Sequence, residues 1–193
     1  MITNKDIEEL NLNSQNLEEI PKEVFSLINL KKIYLYNNNI KQIPSEIKNL
    51  KKLECLDLRN NNLNSLPNEI GELSNLKTLY LSNNFIKELP TNLNLLTKLN
   101  KIVLSNNKLT QIPNVIYKLK NLKRLILRDN HIRTLNKEIM FLENLKNLDL
   151  KNNYISEVPE EFSELKNLRS LSLKGNTISS LSFDFSKLKK VDF

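Results

Sequence analysis

The chain has 193 residues, with 29 Lys and Arg against 22 Asp and Glu, and so carries a net charge of +7. A single cysteine excludes an intrachain disulfide, and no apolar run is long enough for a membrane span or a signal peptide. Basic residues come singly or in short pairs rather than as a tract. The charge therefore argues for solubility and acidic partners rather than nucleic acid or membrane.

In chain order, a short lead-in ends at Ile7, where a motif begins that returns every 23 residues. It reads Leu-x-x-Leu-x-Leu-x-x-Asn-x-Leu and opens at Ile7, Leu30, Leu53, Leu76, Leu99, Leu122, Leu145 and Leu168. Residues 7–190 make eight such periods, with a partial ninth expected at 191–193, so residues 1–193 read as a single domain. A repeat of this length marks a solenoid, in which no unit buries its own apolar face and stacking produces one continuous core.

Within each repeat, positions 4 and 6 alternate with polar neighbours, as a half-buried strand requires. The first repeat carries Gln15 where later ones carry Asn. In the second, Ile33 and Leu35 point inward and Lys32, Tyr34 and Tyr36 outward. The outward sets continue as Cys55, Asp57, Arg59; Thr78, Tyr80, Ser82; Lys101, Val103, Ser105; and Arg124, Ile126, Arg128. Position 9 is Asn38, Asn61, Asn84, Asn107, Asn130, Asn153 and Asn176. An unpaired buried amide is costly, so these side chains are expected to bond backbone groups in a ladder between repeats.

The return segments read Ile20-Pro21-x-Glu23, Ile43-Pro44-x-Glu46 and Leu66-Pro67-x-Glu69. Proline suits the first helical position, where its missing N–H costs nothing, and glutamate suits the amide-rich first turn. Short 3₁₀ or α turns are therefore expected on the convex side. Asn92, Val115, Asn136 and Ser182 break the pattern locally. Met1 and Ile2 at one end, and Phe183, Phe185, Leu188 and Phe193 at the other, are the candidates for lids over the terminal coils, and poorly covered ends would favour self-association. As written, the chain is expected in the cytoplasm; removal of an export signal would place it outside the cell.

The outward strand positions are the candidate binding surface: Lys32, Tyr34, Tyr36, Arg59, Tyr80, Lys101, Val103, Arg124, Ile126 and Arg128. Tyr80, Val103 and Ile126 form an apolar stripe over three adjacent coils, flanked by cations, which is the chemistry of protein-binding hot spots. The same residue types also favour strands for their own sake. Cys55 and His131 fall three coils apart, roughly 14 Å at the spacing of sheet strands, too far for a nucleophile and its base. No metal site, cofactor loop or catalytic constellation is expected.

With the strand consensus recurring eight times and Leu/Ile-Pro-x-Glu-Ile in the early copies, the chain resembles the leucine-rich-repeat family over nearly its whole length. The 23-residue form with Leu-Pro resembles the bacterial type, and the Asn- and Lys-rich wording is similar to leptospiral members. The resemblance implies an α/β solenoid: a curved arc with a parallel β-sheet on the concave face and short 3₁₀/α turns on the convex face. It also implies recognition of a protein partner on the concave face, in bacterial host interaction or signalling. The competing expectations are a structural unit assembling through its ends and an adhesin for acidic polymers.

Overall fold

A computed structural model describes residues 6–181 and 190–192. The repeating leucines place three-residue strands one coil apart: β1 (Glu9–Asn11), β2 (Lys32–Tyr34), β3 (Cys55–Asp57), β4 (Thr78–Tyr80), β5 (Lys101–Val103), β6 (Arg124–Ile126) and β7 (Asn147–Asp149). A two-residue strand, β8 (Glu157–Val158), lies off this line, and β9 (Ser170–Ser172), β10 (Ser180–Leu181) and β11 (Lys190–Asp192) follow. Nine of them form one sheet in the order β1-β2-β3-β4-β5-β6-β7-β9-β11. All of its pairings are parallel. From β1 to β9 the register advances by the sequence period, as in Leu56 opposite Leu79 and Ile102 opposite Leu125.

The last step differs. Val191 pairs with Leu171, a step of 20 residues where the earlier steps are 23. The proposed lids Met1, Ile2, Phe183, Phe185, Leu188 and Phe193 lie outside the described residues.

Strands end because position 8 is left-handed: Asn37, Asn60, Asn83, Asn106, Asp129 and Asn152 have φ between 51° and 58°, and Gly175 has φ 74°. Asn, Asp and Gly adopt this region at least cost. Position 9 then turns its amide inward. Asn107 Nδ2 donates to the carbonyls of Leu81, Leu104 and Ser105 at 2.9, 3.1 and 3.3 Å, and its Oδ1 accepts from Ile86 N–H at 2.9 Å. The same pattern recurs at Asn61, Asn84, Asn130 and Asn153. In the first repeat, Gln15 contributes its backbone N–H to Asn38 Oδ1.

The convex side is built from 3₁₀ segments: Lys22–Ser26, Ser45–Asn49, Asn68–Glu72, Thr91–Leu95, Ile116–Lys118, Lys137–Phe141 and Glu160–Glu164. Proline stands one residue earlier than expected. Pro44 is extended, with ψ 160°, and caps the segment through its carbonyl, which accepts from Ile47 N–H at 3.1 Å. Asn136 fills the same place with ψ 150°, so the fold needs the extended cap more than the ring. In the fifth repeat Val115 replaces the acid and is buried, and its 3₁₀ segment shortens to three residues. Between the two faces lies one continuous apolar cluster running from Ile20 to Leu173. Each fully buried Leu or Ile in it contributes about 1.5–3 kcal/mol.

Candidate concave binding site

The pleat sends every other strand residue into the hollow of the arc, where the sheet ladder fixes its Cα position. Eight of the ten sequence candidates line one groove of about 620 Å³: Tyr36, Arg59, Tyr80, Lys101, Val103, Arg124, Ile126 and Arg128. Lys32 and Tyr34 fall outside it. Lys32 Nζ sits 3.0 Å from the Glu9 carboxylate, whose hydrogen bond and charge raise the lysine's pKa. Burial pushes the Tyr34 hydroxyl's pKa upward, with Glu9 adding to the shift.

At the groove's first end, the outward column does not behave as a row of free side chains. Asp57, expected in the open, is only 2% exposed. Its carboxylate accepts from Arg59 Nε at 2.9 and 3.1 Å, from Arg59 Nη2, and from the Arg59 backbone N–H at 3.1 Å. The guanidinium in turn lies 5.4 Å from the Tyr36 ring centre and 5.0 Å from that of Tyr80. On the far side of Tyr80, Lys101 Nζ stands 4.7 Å from the ring centre and 3.0 Å from the hydroxyl. Tyr36, Arg59, Tyr80 and Lys101 thus form a cation–π stack across four coils, held in place before any partner arrives. Such contacts are worth about 0.5–2 kcal/mol each.

Further along, Val103 and Ile126 are half-buried and provide the apolar floor. Ser82 and Ser105, expected to face outward, are buried against it. Arg124 has no ion-pair partner among the described residues, and Arg128 reaches only the neighbouring Asp129 carboxylate, at 3.8 Å. Because Asp57 neutralises Arg59 and Asp129 stands near Arg128, the uncompensated charge concentrates on Lys101 and Arg124 rather than spreading along the arc. Asn60, Asn83, Asn106 and Asn147 also line the groove; the sequence places Asn147 on the outward face without making it a candidate, and does not single out the other three. The first three occupy the left-handed turn position, and their 23-residue spacing was the signal that could have found them.

Cys55 is half-buried, and burial raises its thiol's pKa, with Asp57 adding to the effect, so the thiolate form is disfavoured. His131 stacks on Tyr154 instead, with ring centres 6.0 Å apart. Among the described residues no group of His, Cys, Asp and Glu could hold a metal ion, and no helix is long and apolar enough to cross a membrane.

The pattern described as leucine-rich repeat region matches residues 46–130, and that described as leucine rich repeat matches residues 5–63 and 120–178. A leucine-rich-repeat protein of Leptospira interrogans is similar at TM-score 0.84 and 34% identity, over 98% of this chain and 55% of that one. An internalin C2 of Listeria monocytogenes is similar at TM-score 0.80 and 30% identity, over 94% and 79%. The plant peptide hormone receptor RGFR1, solved in complex with RGF2, is similar at TM-score 0.73 and 30% identity, over 91% and 30%. This chain therefore spans about half the length of the leptospiral relative and less than a third of the receptor. No curated protein sequence matches it.

Proposed function

Because the chain belongs to the leucine-rich-repeat family, whose curved solenoid and concave parallel sheet make a protein-interaction module, we propose that it recognises a protein partner in the groove between Tyr36 and Arg128. The observation that carries this reading is the preassembled stack of Tyr36, Arg59, Tyr80 and Lys101 beside the apolar floor of Val103 and Ile126. Binding normally costs the freezing of long side chains. Here the stack has already restricted them, so less of the interaction energy is lost on association. Aromatic and Arg anchors in a partly desolvated hollow are also where alanine scans find the largest losses. The relatives, a receptor with a peptide ligand and bacterial repeat proteins, suggest a setting in host interaction or signalling.

The test is the double substitution Tyr80→Ala with Ile126→Ala, made in protein used to capture and then titrate its partner. Affinity should fall by at least about 2 kcal/mol, some thirtyfold, with circular dichroism unchanged. An affinity within twofold of the wild type would remove the groove as the site.

A further inference from the structure

Past the buried Asn ladder, position 10 of each repeat lies on the flank of the solenoid, off the concave sheet. Its backbone amide is committed to the preceding coil: Phe85, His131 and Tyr154 N–H donate to Leu63, Leu109 and Ile132 carbonyls at 2.8 Å, and Lys108 N–H to Ile86 at 2.9 Å. Side chains here are therefore held in register one coil apart, while the fold asks little of their identity. The chain supplies its own control. In the first three repeats and the last, this position is Asn16, Asn39, Asn62 and Thr177; in the four consecutive coils between, it is Phe85, Lys108, His131 and Tyr154. Strand propensity cannot explain the change, because the position is not in a strand.

Phe85 and Tyr154 are 46% and 53% exposed, among the larger apolar exposures on the molecule. His131 stacks on Tyr154, and the Arg133 guanidinium stands 5.7 Å from the Tyr154 ring centre. A groove of about 530 Å³ opens between Phe85 and His131, bordered by Lys87, Lys108, Asn64 and Thr110, with no carboxylate on its walls. Among the described residues, Lys87, Lys108 and Arg133 form no ion pair.

We propose that this flank is a second binding surface, separate from the concave groove, and that its occupant is an extended acidic polypeptide segment. An apolar side chain of the segment enters the gap between Phe85 and His131, over the Lys108 stem, and its carboxylates meet Lys87, Lys108 and Arg133. Charge complementarity selects an anionic occupant, since Lys87 and Lys108, neither in an ion pair, border an apolar hollow with no acid on its walls, and Arg133 stands beside Tyr154 further along the flank. Single-stranded nucleic acid fits less well. It needs successive free ring faces for its bases, and His131, Tyr154 and Arg133 already stack on one another. From Phe85 to Tyr154 is three coils, roughly 14 Å at the strand spacing, which about four extended residues span.

The substitutions Phe85→Asn, Lys108→Asn, His131→Asn and Tyr154→Thr restore residues that other coils carry at this position, and circular dichroism verifies the fold. Phe85→Asn alone serves if the fourfold variant fails to fold. The probe is a synthetic library of short peptides alternating Asp or Glu with randomised apolar residues, run beside its Lys/Arg counterpart and oligothymidylate. Acidic peptides should be enriched, and should bind the wild type and the Tyr80→Ala/Ile126→Ala variant equally. Their affinity for the flank variant should drop at least about tenfold, equivalent to 1.4 kcal/mol. No enrichment, undiminished binding to the flank variant, loss on the concave variant, or tighter binding of oligothymidylate would each overturn the proposal.

Discussion

Tyr117 occupies a turn position that is exposed at Lys48 and Asn94 but buried at Phe25. It is 4% exposed, lies in the short fifth turn, and its hydroxyl makes no hydrogen bond of good geometry among the described residues, though the Asn136 backbone favours its ionised form. Burial raises the phenol's pKa above its ordinary value. The sign follows from linkage: the folded state holds this proton more tightly than the unfolded state does. The associated stability is therefore complete below the unfolded pKa of about 10 and is lost as pH climbs above it. Tyr117→Phe should change stability at neutral pH by no more than about 1 kcal/mol, in the stabilising direction. At about pH 11 the variant should gain further on the wild type. Urea unfolding at both pH values measures this; a variant that loses ground in alkali would contradict it. Asp57 and Arg59 show the opposite arrangement, a buried carboxylate satisfied by a forked partner that also serves the binding face.

The working element is a coil, and two of its contacts are unusually unforgiving. Gly71 lies in the Asn68–Glu72 turn, where an added Cβ would come within 2.2 Å of the Asn92 carbonyl of the next coil. Its φ is not left-handed, so close approach alone demands glycine. The backbones must separate to admit a methyl group, and Gly71→Ala should cost about 1–3 kcal/mol. Asn107→Ala should cost at least as much, because it leaves the buried Ile86 N–H without a partner and takes one of two donors from the Leu81 and Leu104 carbonyls. Thermal unfolding of both variants checks the pair, and a loss below about 0.5 kcal/mol for either would show that the coils slide to accommodate it. The asparagine-rich composition also finds its explanation here. Besides the buried ladder, Asn75, Asn121, Asn144 and Asn167 donate to carbonyls of the preceding coil, and Asn106 and Asn152 link the left-handed turns.

Among the described residues, one apolar cluster runs from coil to coil, so each coil's stability depends on its neighbours. Interior coils rest on two neighbours and the outer ones on fewer. In a nearest-neighbour stack, protection should therefore rise toward the middle. Hydrogen exchange should be slowest in the strands Cys55–Asp57 through Arg124–Ile126 and faster toward Glu9–Asn11. Ile102→Ala, at the fully buried centre, should cost about 2–5 kcal/mol and still give a single transition. Two separated transitions, or uniform protection, would mean that the stack is not coupled in this way. The molecule also separates its two surfaces: the concave groove is prearranged by sheet register, and the flank by turn geometry.

The sequence by itself determined the coil, its length, its inward leucines and its inward asparagines, because local pattern and stacking require the same residues at the same spacing. Of the ten candidates it marked, eight line the groove, since alternation in a strand decides which side a residue faces. It could not decide what neighbouring coils do to one another's side chains. Arg59 covering Asp57, Lys32 turning to Glu9, Val191 entering the sheet three residues early and Gly71 yielding space to Asn92 are contacts between residues about 20 apart, or between side chains sharing a face. Only the tertiary structure fixes them, because spacing sets direction, whereas charge pairing and close approach depend on distance across the stack.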